Sequence, residues 1–198
     1  MARAKRPSLV VIAGPNGAGK STLAPLLLQE ALAVTEFVNA DVIARGLSAF
    51  APEQVAMAAG RLMLARLREL AGQQVSFAFE STLASRSFAP WIRQLLQAGY
   101  QFHLVFLWLP SAALAVQRVA SRVRMGGHAV PADVVRRRYH AGLHNFFQMY
   151  LPLATTWRIY DSSRGRMPEL VAVGNEATTV IYDEALWARA RREANHGS

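Results

Sequence analysis

A glycine-rich segment near the start of the chain has the composition and spacing of a phosphate-binding loop. Residues 14–21 match G-x-x-x-x-G-K-[ST] at every fixed position and stand between an apolar run and a helix-like stretch. Glycines allow backbone N–H groups to surround a phosphate, and the following helix N-terminus adds partial positive charge. Lys20 would contact the β- and γ-phosphates and Ser21 would ligate Mg²⁺; the alternative is an ordinary strand-to-helix turn. We predict binding of ATP with Mg²⁺, the nucleotide being held by Gly14, Pro15, Asn16, Gly17, Ala18, Gly19, Lys20, Ser21 and Thr22.

Two carboxylates follow candidate strands and could take part in phosphoryl transfer. Ligands of open α/β sheets bind at the carboxyl ends of the strands, so acids placed there can reach a bound nucleotide. Glu80 follows an apolar run, and we predict that it holds Mg²⁺ or its waters together with Ser21. Asp41 could accept the proton of an attacking hydroxyl, or it could only cap the helix that begins near Val42. Thr82 and the serine before it could bind an acceptor substrate, or they could cap the next turn.

Arginines are concentrated in the second half of the chain. Arg118 and Arg122 lie four residues apart, on one face of a helix, where they could close over polyphosphate and stabilise the transferred γ-phosphoryl group. The Gly126-Gly127 pair would allow this segment to move as a lid. Three consecutive helical arginines, by contrast, point in three directions and cannot all face one ligand. The set could instead be a solvated face; it comprises Arg118, Arg122, Arg124, Arg136, Arg137 and Arg138.

The histidines give weaker signals than the arginines. His128 adjoins the glycine pair and is a candidate for binding substrate, whereas His103 lies in an apolar run and is expected to be structural. His140 and His144 have a spacing compatible with zinc, but no third ligand accompanies them. We therefore predict no metal site at these histidines.

Apolar runs alternate with helix-like stretches, which predicts a parallel sheet with helices on both faces. Strands are expected at residues 9–13, 36–39, 74–79, 102–109 and 157–160, and a terminal hairpin at 171–173 and 178–182 with its turn at 174–175. Helices are expected at 21–32, 52–70, 88–98, 111–125 and 131–150. The predicted fold class is α/β, of the P-loop NTPase and kinase type, with an arginine-rich helical lid at about residues 118–140.

The composition fits a packed domain with anionic ligands. The 198 residues are 52% hydrophobic and 18% charged, and we expect one domain over residues 1–198. A net charge of +9 favours nucleotides, phosphosugars or nucleic acid as ligands. The absence of cysteine excludes disulfides and favours the cytoplasm. The longest apolar stretch, at 104–116, is too short to span a bilayer, so no membrane association is predicted; residues after 192 are expected to fray.

Beyond these local patterns, the sequence resembles the zeta-toxin family of P-loop kinases, specifically its short stand-alone bacterial members. The glycine loop is shared by many families, but its combination with the later segments is fairly specific. The resemblance covers about residues 9–163 and rests on residues 14–22, 39–41, 43–44, 79–83, 118–119, 122–123, 126–131, 136–139 and 160–162.

The resemblance implies a phosphotransferase that uses ATP with Mg²⁺. In the better understood members the acceptor is the sugar 3′-hydroxyl of UDP-N-acetylglucosamine, and the product interferes with cell-wall synthesis. A small antitoxin protein blocks the nucleotide site of those members. Matched positions imply that Lys20 and Ser21 bind phosphate and metal, that Asp41 activates the hydroxyl, and that Arg118 or Arg122 is a lid arginine.

The match to the family is incomplete at one position of the lid. Glu80 and Thr82 match family residues that line the acceptor site, but the toxins have a second catalytic arginine shortly before a proline. This chain has His128 before Pro131 there, and histidine cannot make the same permanent bidentate contact. Residues that could substitute from other positions are Arg124, Arg136, Arg137 and Arg138.

Three other functions stay open at this point. One is a kinase for a nucleoside, sugar or other metabolite without a role in toxicity. Another is a P-loop ATPase stimulated by nucleic acid, which the net charge of +9 and the basic ends favour, although we expect nucleic acid to be a less suitable partner than a small-molecule acceptor. The third is a nucleotide-dependent binding switch without transfer chemistry.

Overall fold

The centre of the fold is a β-sheet, seen in a computed structural model that describes residues 6–25, 28, 34–127, 129–164 and 167–195. Within these residues the strands are β1 (Ser8–Ala13), β2 (Glu36–Val38), β3 (Phe77–Ser81), β4 (Gln101–Trp108), β5 (Thr156–Asp161), β6 (Glu169–Asn175) and β7 (Thr179–Ile181). They form one sheet in the order β2-β3-β1-β4-β5-β6-β7. Along this order, neighbouring strands from β2 to β5 are parallel, and β6 and β7 extend the sheet in antiparallel pairing. The predicted α/β fold class is confirmed.

Strand β1 is covered on both faces, as its uninterrupted apolar sequence predicts for a parallel sheet. Leu9 and Val11 belong to the larger apolar cluster, which also contains most of β4 and the aromatic residues of β3. Val10 and Ile12 point to a smaller cluster on the other face. Alternate side chains of one strand therefore join two apolar layers, as expected for an interior strand of the sheet.

Helices cover the sheet, and each of the five predicted helices has a counterpart that begins close to the expected residue. The helix at Glu184–Asn195 was not predicted. Within the described residues the helices are α1 (Lys20–Pro25), α2 (Ala40–Leu47), α3 (Ala56–Gly72), α4 (Phe88–Gln97), α5 (Ala112–Arg124), α6 (Ala132–Asn145) and α7 (Glu184–Asn195). Short 3₁₀ segments at Pro52–Val55 and Leu151–Leu153 and a π-helical turn at Phe146–Tyr150 complete them. The part of the predicted first helix at 26–27 and 29–32 lies outside the described residues.

Three expectations from the sequence are wrong in detail. Residues 74–76 do not belong to β3, and Gln74 has a positive φ of 54° that is incompatible with an extended strand. The terminal hairpin turns after Asn175, whose side chain accepts hydrogen bonds from the N–H groups of Ala177 and Thr178. The chain does not fray directly after Arg192, because α7 continues to Asn195 and Ala194 is only 1% exposed.

Helices α5 and α6 are separated by a glycine break, as predicted. Ser111 caps α5 by accepting a hydrogen bond from the N–H of Leu114. After α5 the chain turns at Gly126, which has a positive φ of 84°. Along the described part of the chain, no helix combines the length and apolar character needed to cross a membrane.

Candidate active site

The glycine-rich loop lies between β1 and α1, at the carboxyl edge of the sheet, and is packed against two other elements. A side chain at Gly14, where φ is 141°, would collide with the carbonyl oxygen of Leu107 in β4. A Cβ at Gly17 would lie 3.0 Å from the Cβ of Arg118 and 3.1 Å from the carbonyl oxygen of Ala115, both in α5. The two glycines thus allow the loop to approach β4 and α5 closely.

A cleft of about 780 Å³ opens beside this loop. It brings together most of the predicted site residues, namely Asn16, Gly17, Gly19, Lys20, Ser21, Thr22, Asp41, Glu80, Thr82, Arg118 and Arg122. Gly14, Pro15 and Ala18 are buried behind it. His128 lies outside the described residues. Further lining residues that the sequence did not suggest are Asn39, Ala40, Ala56, Ala84, Ser85, Phe88, Val130 and Ala141. Three residues that the sequence left as open candidates also line the cleft, namely Ser81, Arg137 and Arg138.

Lys20 is held in an extended position across the loop. Its Nζ donates hydrogen bonds to the carbonyl oxygens of Gly14 at 3.0 Å and Pro15 at 3.1 Å. Burial lowers the pKa of Lys20, while the carboxylates of Glu80 and Asp41 oppose this shift. An anionic ligand in the cleft would restore the electrostatic stabilisation that burial removes from this ammonium group.

Ser21 and Glu80 form a hydrogen-bonded pair of oxygen donors in the cleft that could hold a metal ion. The Ser21 hydroxyl donates to Oε2 of Glu80 at 3.1 Å, and Nδ2 of Asn39 donates to the same hydroxyl at 3.5 Å. Oε1 of Glu80 is buried and has no hydrogen-bond partner among the described residues. Burial raises the pKa of Glu80, against the opposing charge of Lys20.

Asp41 lies in the first turn of α2, but it does not cap that helix. The cap is Asn39, whose Oδ1 accepts from the N–H groups of Asp41 at 2.8 Å and Val42 at 3.3 Å. Since Asn39 satisfies these donors, the capping alternative for Asp41 is wrong. The Asp41 carboxylate is exposed and lines the cleft.

Arg118 joins α5 to the end of β5. Its guanidinium donates to the carbonyl oxygens of Ser162 at 2.6 Å and Ser163 at 3.0 Å. Ser162 also donates from its hydroxyl to the carbonyl oxygen of Ala18 at 2.7 Å, so β5, α5 and the glycine-rich loop are linked. Arg122, one turn further along α5, also lines the cleft.

Helix α6 also contributes to the lining of the cleft and is fixed to the loop after β3. A side chain at Gly142 would collide with the carbonyl oxygen of Thr82. Asn145 donates from Nδ2 to the carbonyl oxygens of Leu83 at 2.8 Å and Ala84 at 3.3 Å. The hydroxyl of Tyr150 donates to the carbonyl oxygen of Ser85 at 2.6 Å. These contacts determine which helix face meets the cleft, and they place Arg137 and Arg138 in its lining.

The serine and threonine after Glu80 shape the chain as the turn alternative predicts. Ser81 accepts a hydrogen bond from the N–H of Leu83 at 3.0 Å, and Thr82 accepts one from the N–H of Ala84 at 3.4 Å. Both residues nevertheless line the cleft, and a hydroxyl that accepts one hydrogen bond can still donate another. The turn role therefore leaves the substrate role of Thr82 open.

The described residues include three further histidines, and none of them lines the cleft: His103, His140 and His144. His103 pairs through Nδ1 with the hydroxyl of Thr156 at 2.8 Å. His144 contacts the carbonyl oxygen of Ala194 through Nδ1 at 3.2 Å, and His140 packs edge-on against Tyr139.

This arrangement of a P-loop, two carboxylates and arginines on two helices agrees with a family comparison. The model described as "Zeta toxin" matches residues 1–186. The chain belongs to the zeta toxin family. Membership confirms the resemblance, found from the sequence, to this family of P-loop kinases.

Individual proteins also resemble this chain, one in sequence and others in fold. An uncharacterised protein of Haemophilus influenzae is 29% identical over 126 residues, or 64% of this chain and 88% of that protein. The structure of AvrRxo1-ORF1:-ORF2 with ATP matches at a TM-score of 0.77 and 18% identity over 94% of this chain. Only 64% of the AvrRxo1 chain is spanned. The PezAT toxin–antitoxin system of Streptococcus pneumoniae matches at a TM-score of 0.63 and 13% identity, covering 98% of this chain and 88% of that chain. At these identities the structures establish a shared fold.

Proposed function

We propose that this protein is an ATP- and Mg²⁺-dependent kinase that transfers the γ-phosphoryl group to a hydroxyl of a small molecule. The observation that carries the proposal is the location of Asp41 in one cleft with Lys20 and the Ser21–Glu80 pair. A base, a phosphate-binding cation and a pair of metal ligands are the parts that phosphoryl transfer requires.

Each group has a distinct part in the proposed reaction. The backbone N–H groups of the glycine-rich loop and Lys20 bind the phosphates, and this replaces the hydrogen bonds from Lys20 to Gly14 and Pro15. Asp41 accepts the proton of the acceptor hydroxyl while the oxygen of that hydroxyl forms a bond to the γ-phosphorus. The bond from that phosphorus to the β–γ bridging oxygen breaks, and ADP leaves with the electron pair.

Ser21 and Glu80 are the proposed Mg²⁺ ligands. A hydroxyl and a carboxylate are hard oxygen donors, which Mg²⁺ prefers, and this ion commonly takes only one or two protein ligands beside waters and phosphates. The buried Oε1 of Glu80 has no partner elsewhere in the described chain, and a metal ion or its water would satisfy it. The bound ion would neutralise charge on the β- and γ-phosphates.

The proposed acceptor is a nucleotide sugar, with UDP-N-acetylglucosamine as the first candidate from the family resemblance. The cleft extends from the P-loop past Glu80 and Thr82 to Phe88 and offers about 780 Å³. Drug-sized ligands occupy pockets of roughly 300–1,000 Å³, so this space accommodates phosphates together with part of an acceptor. Thr82 is the proposed hydrogen-bonding contact to the acceptor, and His128 a further one.

The decisive experiment incubates the purified protein with Mg²⁺ and ATP and follows added phosphate by mass spectrometry. The acceptors are UDP-N-acetylglucosamine and a panel of sugars and nucleosides, with Asp41→Asn as the control. A phosphorylated acceptor that is absent with the variant supports the proposal. ATP binding without any product overturns it, and ATP hydrolysis that rises on adding DNA or RNA would favour the nucleic-acid-stimulated ATPase.

A small antitoxin protein is the proposed partner. The PezAT structure belongs to a toxin–antitoxin system, and the AvrRxo1 structures contain two different proteins. Expression of this chain alone and together with the product of an adjacent short reading frame tests the proposal. Growth inhibition that the second protein relieves would support it, whereas normal growth with active kinase in the cells would refute toxicity.

A further inference from the structure

The arginines on α6 differ in their relation to the cleft. Arg137 and Arg138 belong to its lining, while Arg136 is exposed to solvent away from it. Arg124, near the end of α5, is also exposed and donates to the hydroxyl of Ser121 at 2.9 Å. Of the candidates for a second phosphate-binding arginine, the structure therefore leaves the two residues at 137 and 138.

Arg138 is the better placed of these two. It precedes Gly142 by one helical turn and so lies on the helix face that is pressed against Thr82. Asn145 continues the same face and is 2% exposed, with hydrogen bonds to the loop after β3. Arg138 is half-buried, whereas Arg137 is exposed. The guanidinium of Arg138 thus extends from a helix whose rotation and distance from the site are fixed.

Arg138 shares the cleft with the lysine of the glycine-rich loop. Lys20, Arg122 and Arg138 all belong to its lining. Cations on α1, α5 and α6 therefore repel one another within one cleft. Such repulsion is relieved when an anion lies between them, which is the arrangement expected around the γ-phosphate of a bound nucleotide.

We propose that Arg138 is a catalytic residue that binds the transferred γ-phosphoryl group and stabilises its charge. This assignment rests on the proposed kinase function. Arg138 acts from α6, which is anchored to the loop after β3, and Arg122 acts from α5. Gly142 and Asn145 set the position of α6, so Arg138 binds the phosphoryl group without a large movement of this helix.

Arg138→Ala, Arg138→Lys and Arg136→Ala test this assignment. Loss of a charge-stabilising donor costs about 100-fold or more in kcat, so we expect at least that loss for Arg138→Ala. ATP affinity should change little, and Arg136→Ala should behave as the wild type because its side chain is outside the cleft. Guanidinium ion, compared with equal sodium chloride, should restore part of the activity of Arg138→Ala but not of a misfolded protein.

A binding measurement separates this proposal from the kinase proposal. Mg²⁺, ADP and aluminium fluoride mimic the transferred phosphoryl group, and we expect Arg138→Ala to lose affinity for this combination but not for ADP alone. Equal kcat and equal affinity for Arg138→Ala and Arg136→Ala would overturn the role of Arg138 while leaving the kinase intact. A wild type that binds nucleotide and phosphorylates nothing would instead refute the kinase, and the affinity comparison would still decide whether Arg138 binds the mimic.

Discussion

The hydroxyl of Ser21 donates to Oε2 of Glu80 at 3.1 Å, which joins the start of α1 to the end of β3. The other carboxylate oxygen, Oε1, is buried without a hydrogen-bond partner in the described parts of the chain. A buried carboxylate that is incompletely paired destabilises the empty protein, because its solvation is lost without full replacement. The same group is well suited to a cation.

Glu80→Gln should raise the free energy of unfolding at neutral pH. Burial raises the pKa of Glu80 above its ordinary value of 4.5, so the folded protein binds this proton more tightly than the unfolded chain. The stabilisation from the protonated form is therefore complete below pH 4.5 and is lost as the pH rises through the folded-state pKa. Urea denaturation in the absence of Mg²⁺ should show the gain of the variant growing from acid to neutral pH.

Glu176→Gln is the matched control for this measurement, because Glu176 is exposed in the β6–β7 turn. Its free energy of unfolding should equal that of the wild type at every pH. A Glu80→Gln protein that is no more stable than the wild type at pH 7 would show that the unpaired carboxylate is not destabilising. The same variant should lose Mg²⁺-dependent turnover if Glu80 holds the metal.

Asp41→Asn should abolish turnover while it preserves both the fold and nucleotide affinity. Removal of a general base lowers kcat by about 100-fold or more. Asn39 caps α2, so replacement of Asp41 leaves the N–H groups in the first turn of the helix paired. Asn39→Ala provides the contrast and should cost about 1 kcal/mol of stability. Isothermal titration with ATP and steady-state kinetics would distinguish the two variants, and unchanged turnover in Asp41→Asn would exclude it as the base.

Arg118→Ala should reduce stability as well as activity. The two hydrogen bonds from this guanidinium to Ser162 and Ser163 hold the end of β5 against α5, and loss of a charged donor of this kind costs about 2 kcal/mol. Arg124→Ala is the control on the same helix, and its effect should stay within about 0.5 kcal/mol because the side chain is exposed. Thermal denaturation measures the loss of stability in both variants. A fully stable Arg118→Ala would indicate that the contacts are replaced at no cost.

Gly142→Ala should destabilise the protein although alanine is the stronger helix former. The added methyl group would collide with the carbonyl oxygen of Thr82, and overpacking of this kind costs about 2 kcal/mol. Gly60→Ala in α3 meets no described atom within 4 Å and should stabilise by up to about 1 kcal/mol. Opposite signs in urea denaturation are the expected result; equal signs would show that α6 can move away from the loop.

Features encoded by neighbouring residues were predictable from the sequence. The P-loop needs a strand, glycines and a helix in direct succession, and all three are visible within residues 9–25. The positions of Glu80 and Asp41 followed from a general rule about strand ends. Even Asn39 had a local signal, since an asparagine directly before a helix is a common cap.

The helix face that α6 turns toward the cleft was not predictable, because contacts with residues distant in sequence determine it. Three adjacent arginines are equivalent in sequence, and only the packing of Gly142 and Asn145 against the loop after β3 selects the residues that reach the cleft. Helix α7 also had a local signal in the spacing of its apolar residues, although its exposed residues are basic. Trp187, Ala190 and Ala194 are buried at helical spacing beneath a basic face.

In the proposed reaction, the contact of Gly142 with Thr82 means that one helix would serve both substrates. A change in the length of the β3–α4 loop would then displace the proposed acceptor contact at Thr82 and, through α6, the arginines that line the cleft. Mutational routes to a new acceptor would therefore favour side-chain exchanges at fixed loop length. Within the family, insertions should accumulate elsewhere on the surface, and a homologue with a longer loop here should carry compensating changes along α6.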